Sequence, residues 1–335
     1  MQVSIVVIGK ELLLGQVIDT NSSDISHRLD PLGWQVGDIQ TVDDDAYQIT
    51  RAIDRAFESS DVVITTGGLG PTKDDITKQT LCNYFGGELV HDASVLETVK
   101  RVIARRGLEL NDLTAKQAMV PSSCRVIQNE VGTAPIMWFE RDGKVLVTLP
   151  GVPFETREML DRQVIPQLIK RFPSKMNYEH RTVRVVGYSE SLLAMKIEEW
   201  ENSLPPYLHL AYLPKPGLVR LRIDGAHTDN PLLISEINHY HSMLCNLLGE
   251  NVLCNADIPV EEILLQELEA RGLSIATAES CTGGNIAHLL TSVPGSSKVF
   301  NGSVVAYSNE VKEHLLGVNA DTLAAHGAVS IPVVE

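Results

Sequence analysis

Nowhere in the 335 residues does an uninterrupted apolar stretch approach the ~18 residues that a membrane-spanning helix requires, which excludes a helical membrane protein. The N-terminus, Met1-Gln2-Val3-Ser4-Ile5-Val6-Val7-Ile8, lacks the basic region and the long apolar core of a secretory signal, and reads instead as a first buried strand. Cysteine is scarce. The five residues Cys82, Cys124, Cys245, Cys254 and Cys281 are odd in number and without paired metal-ligand spacing, so reduced thiols in a cytoplasmic protein are expected. Positive charge is also short: 28 Lys and Arg face 43 Asp and Glu, a net charge of −15 that repels nucleic-acid phosphate and anionic membranes. No nucleic-acid or membrane partner is expected, whereas a small anionic substrate remains reachable through a local metal ion. There is no low-complexity tract and no short repeat, and the length suffices for two or three domains, each with its own core.

Against these absences stands one segment rich in chemistry, Thr66-Gly-Gly-Leu-Gly-Pro-Thr-Lys-Asp-Asp-Ile-Thr77, which directly follows the apolar run Val62-Val63-Ile64. Glycines permit positive φ and close backbone approach, so that main-chain N–H groups can point at an anion, with a following helix adding its positive end. The segment matches neither the dinucleotide fingerprint nor the P-loop, since no Gly-Lys-Ser/Thr ending is present. Asp74 and Asp75 supply what a plain phosphate loop lacks: carboxylates beside a phosphate require a cation between them, and Mg²⁺ is commonly held by one or two carboxylates plus phosphate oxygens. The alternative is a simple tight turn over residues 67–71, with Asp74 as a helix-terminal charge.

The first half of the chain alternates strand-like and helix-like segments, at residues 3–8, 19–32, 35–42, 46–59 and 62–66. This is the signature of βαβ units and a parallel sheet. Ligands of such sheets bind outside the carboxyl ends of the strands, so Gly9-Lys10-Glu11, Asp43-Asp44-Asp45 and the Gly67 turn are expected on one rim. Strands at 125–127 and 145–149 lead to Pro150-Gly151-Val152-Pro153 and a helix starting near Phe154, a fourth rim loop. Breaks at 173–177 and 255–259 suggest a small second α/β unit, with strands near 182–187 and 218–223 around a helix at 189–201. A third segment follows, with a helix at 260–271 and a strand at 273–277.

On these motifs the chain resembles the CinA family, the competence/damage-inducible proteins. The resemblance is carried by Gly9-Lys-Glu-Leu-Leu-Leu-Gly-Gln16, Asp19-Thr-Asn-Ser22, the Thr66 to Thr77 segment, Asn129-Glu-Val-Gly-Thr-Ala-Pro135 and the Leu149 to Pro153 loop, then Thr277-Ala-Glu-Ser-Cys-Thr-Gly-Gly284, Gly295-Ser-Ser297 and Tyr307-Ser-Asn-Glu-Val-Lys312. It implies an α/β fold: a three-layer α/β/α MoaB/MogA-like domain over 1–172, a small α+β KH-like domain over 173–256, and a nicotinamide mononucleotide deamidase-type α/β domain over 257–335. The family's deamidase domain continues beyond the position that Glu335 occupies, so that domain is expected to be partial. Lys10 and Ile136 depart from the family pattern, the latter standing where a glycine is usual.

The resemblance further implies metal-dependent cleavage of the ADP-ribose pyrophosphate, giving AMP and ribose 5-phosphate, with Mg²⁺ or a similar divalent ion and a homodimeric assembly. The alternative it leaves open is a molybdopterin-type binding protein without hydrolase activity. Pyrophosphate cleavage needs charge neutralisation on two phosphates and a positioned water. Asp75 and Asp44, with Asp74 second and Glu11 weaker, are the expected metal or water-positioning carboxylates, while 43–45 as a solvated turn is the alternative. Gly67, Gly68 and Gly70 would hold phosphate oxygens. Thr72 and Thr77 could donate hydroxyls, though Thr77 could equally bond its own backbone. Asp19, Thr20 and Asn21 most simply cap the first helix, with a ligand role in addition as the alternative. Gly132 and Thr133, with Pro150 and Gly151, look like cradle elements. In the third segment, deamidation of nicotinamide mononucleotide is acyl transfer; the resemblance implies Ser297 as nucleophile, a buried Lys312 as base, Tyr307 as relay and Ser280 as orienting group. Cys281 is expected to be a small buried thiol, and no Gly-x-x-Gly nucleic-acid loop occurs between Arg181 and Gly225.

Overall fold

The computed structural model describes residues 1–72 and 74–335. It divides into two compact units, residues 1–180 with 204–209 and 223–240, and residues 181–203 with 210–222 and 241–335. In chain order the strands are β1 (Gln2–Ile8), β2 (Gln35–Val42), β3 (Val62–Thr66), β4 (Leu89–His91), β5 (Met119–Pro121), β6 (Arg125–Ile127), β7 (Ile136–Arg141), β8 (Lys144–Leu149), β9 (Asn177–Val185), β10 (Leu208–Lys215), β11 (Leu218–His227), β12 (Val252–Cys254), β13 (Ile275–Glu279) and β14 (Phe300–Val305).

The first unit is built on a six-stranded sheet in the order β2-β1-β3-β8-β7-β6. The first four strands run parallel, as the βαβ pattern requires. The last two are antiparallel, a departure from the all-parallel expectation with a local cause. β7 and β8 are joined by Asp142-Gly143, both at positive φ (53° and 79°), the two-residue turn that folds a chain straight back on itself.

Strand alternation explains the layers. Val3, Ile5 and Val7 meet Ile25 and Leu29 of the helix Asn21–Leu29, together with Leu160, Val164 and Leu168. Val6 and Ile8 meet Ile49 and Ile53 of the helix Ala46–Ser59 on the opposite face. Residues 49, 52, 53 and 56 are that helix's buried positions, a spacing of three and four that gives one apolar stripe. The result is a three-layer α/β/α arrangement.

The expected first helix at 19–32 is shorter, Asn21–Leu29 followed by a 3₁₀ turn at Asp30–Leu32, because Pro31 cannot continue the α-helical ladder. The middle of the chain forms a four-stranded sheet, β10-β11-β9-β12. Its strands are longer than the sequence pattern suggests, and β10 and β12 have no counterpart in that pattern. The third segment carries a parallel pair, β13 and β14, with the helix Asn285–Ser292 between them in sequence. Among the described residues no helix is long and apolar enough to cross a membrane.

Candidate active site

Parallel strands β1, β2, β3 and β8 deliver their following turns to one rim. There a cavity of about 350 Å³ is lined by Gly9, Glu11, Asp44, residues 66–70, Asp74, Asp75 and Gly151. The expected convergence of four strand ends is therefore observed.

The Gly67 turn can form only with glycine. Gly67 has φ +101°, and a Cβ there would lie 2.0 Å from the Ile8 carbonyl oxygen. Gly68 has φ +62°, and its Cβ would lie 2.1 Å from Thr77 Oγ1. The hydrogen bonds refine which N–H groups can serve an anion. Gly67 N–H donates to Leu149 O (3.3 Å), and Gly70 N–H donates to Asp75 Oδ1 (2.7 Å). Among the described residues the Gly68 and Leu69 N–H groups have no acceptor. Successive unpaired main-chain N–H groups are the donors that backbone anion sites use.

Asp75 is more than a charge. Its Oδ2 accepts from Thr72 N–H (2.9 Å) and also from the Thr72 hydroxyl, so that with Gly70 both oxygens are committed to the loop. Thr72 is thereby occupied within the turn and does not line the cavity. Thr77 does not line it either; its N–H donates to Gly68 O (3.3 Å) and its hydroxyl to Gly67 O (3.5 Å), the local bonding that was the alternative for this residue. The following helix begins only at Thr77, after the Asp pair.

The run 43–45 divides its labour. Asp45 caps the helix Ala46–Ser59 by accepting from Gln48 N–H (2.9 Å), and Asp43 accepts from Asp44 N–H (2.8 Å). Asp44 itself faces the site: a Cβ on Gly68 would lie 3.3 Å from its Oδ1. Burial pushes the Asp44 carboxyl above its ordinary value, opposed by a hydrogen bond from Lys10 N–H and reinforced by the charges of Glu11, Asp43 and Asp75. Asp74 is exposed. Among the described residues no group of three His, Cys, Asp or Glu side chains is placed to hold a metal ion. The carboxylates present suit an ion of the Mg²⁺ kind, which keeps several waters and needs only one or two protein carboxylates beside substrate phosphates.

The latch on the fourth rim loop is a feature that motif reading does not supply. Asn21 is buried, and its Nδ2 donates to Thr66 Oγ1 (3.0 Å) and to Gly151 O (2.8 Å), while the Thr66 and Thr156 hydroxyls donate to Pro150 O (2.7 and 2.6 Å). Asp19 does the capping, accepting from Ser22 N–H (3.1 Å). The available signal is an Asn placed next to a rim motif, and the capping explanation hides it. Gly132 and Thr133 are not among the residues that line the cavity. Gly132 is there because its Cβ would lie 1.7 Å from Glu155 Oε2, and Asn129 closes that turn by accepting from Val131 and Gly132 N–H (3.1 and 2.9 Å).

In the third segment a cavity of about 510 Å³ brings Ser280 and Lys312 together, with Glu279 and Asn319. Buried Lys312 donates from Nζ to the carbonyls of Ala306 (2.7 Å) and Tyr307 (3.1 Å). Ser297 and the exposed Tyr307 are not among the lining residues. Topology explains the first: Ser280 and Lys312 follow the ends of β13 and β14, whereas Ser297 precedes β14, at the other end of the parallel pair. Cys281 is exposed rather than buried, because it sits on the turn before the helix Asn285–Ser292.

Glu279 enters the sequence reading only as part of a motif, yet it organises this segment. It accepts from Ile286 and Ala287 N–H (3.0 and 2.9 Å) at the start of that helix and from the Ser303 hydroxyl (3.2 Å). Burial by itself would push the carboxyl up; these donors, with the Thr282 hydroxyl, outweigh it and hold Glu279 at about 2. A folded value below the unfolded one contributes stability that is present above the ordinary glutamate range and is lost as pH falls towards 2. Glu279→Gln is therefore expected to accelerate amide exchange in the helix Asn285–Ser292 at pH 7. The difference from wild type should shrink in acid; an equal difference at both pH values would refute the assignment.

Residues 4–170 match the family described as "Probable molybdopterin binding domain", and residues 257–335 match that described as "CinA C-terminal domain". The CinA-like protein of Flavobacterium psychrophilum is 42% identical over 337 residues, covering 100% of this chain and 80% of that protein. The CinA-like protein of Cytophaga hutchinsonii is 44% identical over 331 residues, covering 99% of this chain and 79% of that protein. Among solved structures, the protein CinA from Thermoplasma acidophilum is 36% identical, with a TM-score of 0.45, and spans 49% of this chain and 96% of that one.

Proposed function

The chain belongs to the CinA family, and from that premise we propose that its N-terminal domain hydrolyses the pyrophosphate of ADP-ribose, or of a closely related nucleotide, with a divalent cation. The observation that carries this reading is the pairing of two unpaired, successive N–H groups, on Gly68 and Leu69, with a crowd of carboxylates around Asp44 in one cavity. The N–H pair receives phosphate oxygens. Asp44 and Asp74, supported by Glu11, hold the cation through direct or water-mediated contacts, and Asp75 keeps the loop in shape. A bound Mg²⁺ would supply neutralisation of the two phosphates. The reading extends to the rest of the chain: a domain division at 1–172, 173–256 and 257–335, a nicotinamide mononucleotide amidase role for the last segment around Ser280 and Lys312, a cytoplasmic setting and a homodimer. Resemblance rather than geometry supports the dimer and the amidase substrate.

A second reading is favoured by the match of residues 4–170 to a molybdopterin-binding family, and assigns the same cavity to a pterin phosphate without hydrolysis. Calorimetric titration of AMP tests the shared phosphate chemistry. AMP is expected to bind at least ~10-fold more tightly with Mg²⁺ than without it, a difference of about 1.4 kcal/mol. Asp44→Asn should remove that dependence. Because the Asp44 carboxyl is raised, the Mg²⁺ effect should fade as pH drops through a value above the ordinary aspartate range, where the carboxylate takes up its proton. Binding indifferent to both Mg²⁺ and Asp44 would rule the cation reading out.

A further inference from the structure

We propose that Lys78 and Gln117 are positioning residues of the N-terminal site, forming a clamp behind the glycine loop that fixes the Leu69–Gly70 peptide and so keeps the Gly68 and Leu69 N–H groups set for an anion. The proposal rests on the phosphate reading of that cavity and names the device on which its geometry depends.

Neither residue lines the cavity. Gln117 lies in a short 3₁₀ turn at Lys116–Ala118 and is 2% exposed. Its Nε2 donates to Leu69 O (2.8 Å). The N–H of the same peptide unit, on Gly70, donates to Asp75 Oδ1 (2.7 Å). This one peptide is thus held at both ends, by an amide on one side and a carboxylate on the other, and it cannot rotate without breaking both bonds. The constraint matters because Gly67 and Gly68 have the widest conformational freedom of any residues, and an unrestrained loop would lose its anion geometry to backbone entropy.

Lys78 decides which way the Gln117 amide faces. Its Nζ donates to Gln117 O (2.9 Å) and to Gln117 Oε1 (2.5 Å). An ammonium has only donors, so Oε1 must be the atom turned towards Lys78, and Nε2 is left for Leu69. A buried amide without such a partner could present its oxygen to the Leu69 carbonyl, which would repel it. The first turn of the helix Thr77–Phe85 is thereby linked through Gln117 to the loop that precedes it.

The test uses the full chain and AMP with Mg²⁺ as the probe, together with amide exchange over residues 67–70 and thermal unfolding. Gln117→Glu keeps an acceptor for Lys78 but removes the donor to Leu69 O. It is expected to weaken AMP binding by ~10-fold and to speed exchange at the glycine loop more than in the strands of the six-stranded sheet, with a lowered melting temperature because its carboxylate faces the Leu69 carbonyl. Lys78→Met should weaken binding similarly, and Lys78→Arg should recover most of the loss. Gln117→Glu that binds AMP as wild type does, with unchanged loop exchange, would overturn the clamp. If wild type itself fails to bind AMP under any metal, the phosphate reading fails separately. Loop exchange then still decides the clamp: faster in Gln117→Glu upholds it, and unchanged removes it.

Discussion

Gly67→Ala is expected to be the most damaging single methyl group in the first domain. The added Cβ meets the Ile8 carbonyl oxygen at 2.0 Å, a backbone atom at the end of β1 that is fixed by pairing with β2, so the clash cannot be relieved by turning a flexible side chain. The φ of +101° adds strain for any residue with a side chain. Backbone strain of about 1–3 kcal/mol and overpacking of about 1–3 kcal/mol together predict a loss of roughly 2–6 kcal/mol. Loss of AMP binding should accompany it. Gly143→Ala is the control: its φ is +79°, but a Cβ there would meet nothing within 4 Å, so only the strain remains. Denaturant unfolding of the two variants checks this, and a Gly67→Ala no worse than Gly143→Ala would contradict the assigned close approach.

The second large effect is expected at Asp75. Removing its carboxylate in Asp75→Ala leaves Gly70 N–H, Thr72 N–H and the Thr72 hydroxyl without their acceptor. Hydrogen bonds to a charged group contribute about 1.5–3 kcal/mol each, and Asp75 is only partly buried, so the lower end applies. A loss of ~10²-fold in nucleotide hydrolysis corresponds to about 2.7 kcal/mol. Asp75→Asn should fall between, since its oxygen can still serve Gly70 but its amide nitrogen cannot accept from Thr72. If the loop role is right, raising the Mg²⁺ concentration will not restore Asp75→Ala. Restoration by metal would make Asp75 a cation ligand instead.

Much of this architecture is legible in residue order. The strands at 35–42 and 62–66 and the helix at 46–59 have the observed bounds: alternation marks the first, an unbroken buried run between Asp61 and Gly67 the second, and an apolar stripe behind the Asp45 cap the third. The antiparallel edge escapes the pattern although Asp142-Gly143 is a strong hairpin signal; the short strands around it lack a distinct alternation. In the site, residue type is legible and role is not. Asp43, Asp44 and Asp45 look equivalent in sequence, and only the helix start at Ala46 separates the cap from the carboxylate that faces the cavity. Gly132 reads as a loop glycine until Glu155, distant in sequence, is seen to fill the space a side chain would need. Gln117 is invisible for the same reason, since nothing nearby in the chain indicates that it reaches Leu69. In the third segment the serine expected as nucleophile lies before β14 while Ser280 and Lys312 lie after β13 and β14, a distinction that depends on strand direction.

Product analysis of ADP-ribose incubated with the purified full chain, with and without Mg²⁺, tests the central claim most directly. Release of AMP and ribose 5-phosphate only with the metal, and its loss in Asp44→Asn, is the predicted result. Unchanged ADP-ribose under every divalent ion, in a protein that still binds a pterin phosphate, would contradict it and assign the cavity to binding alone.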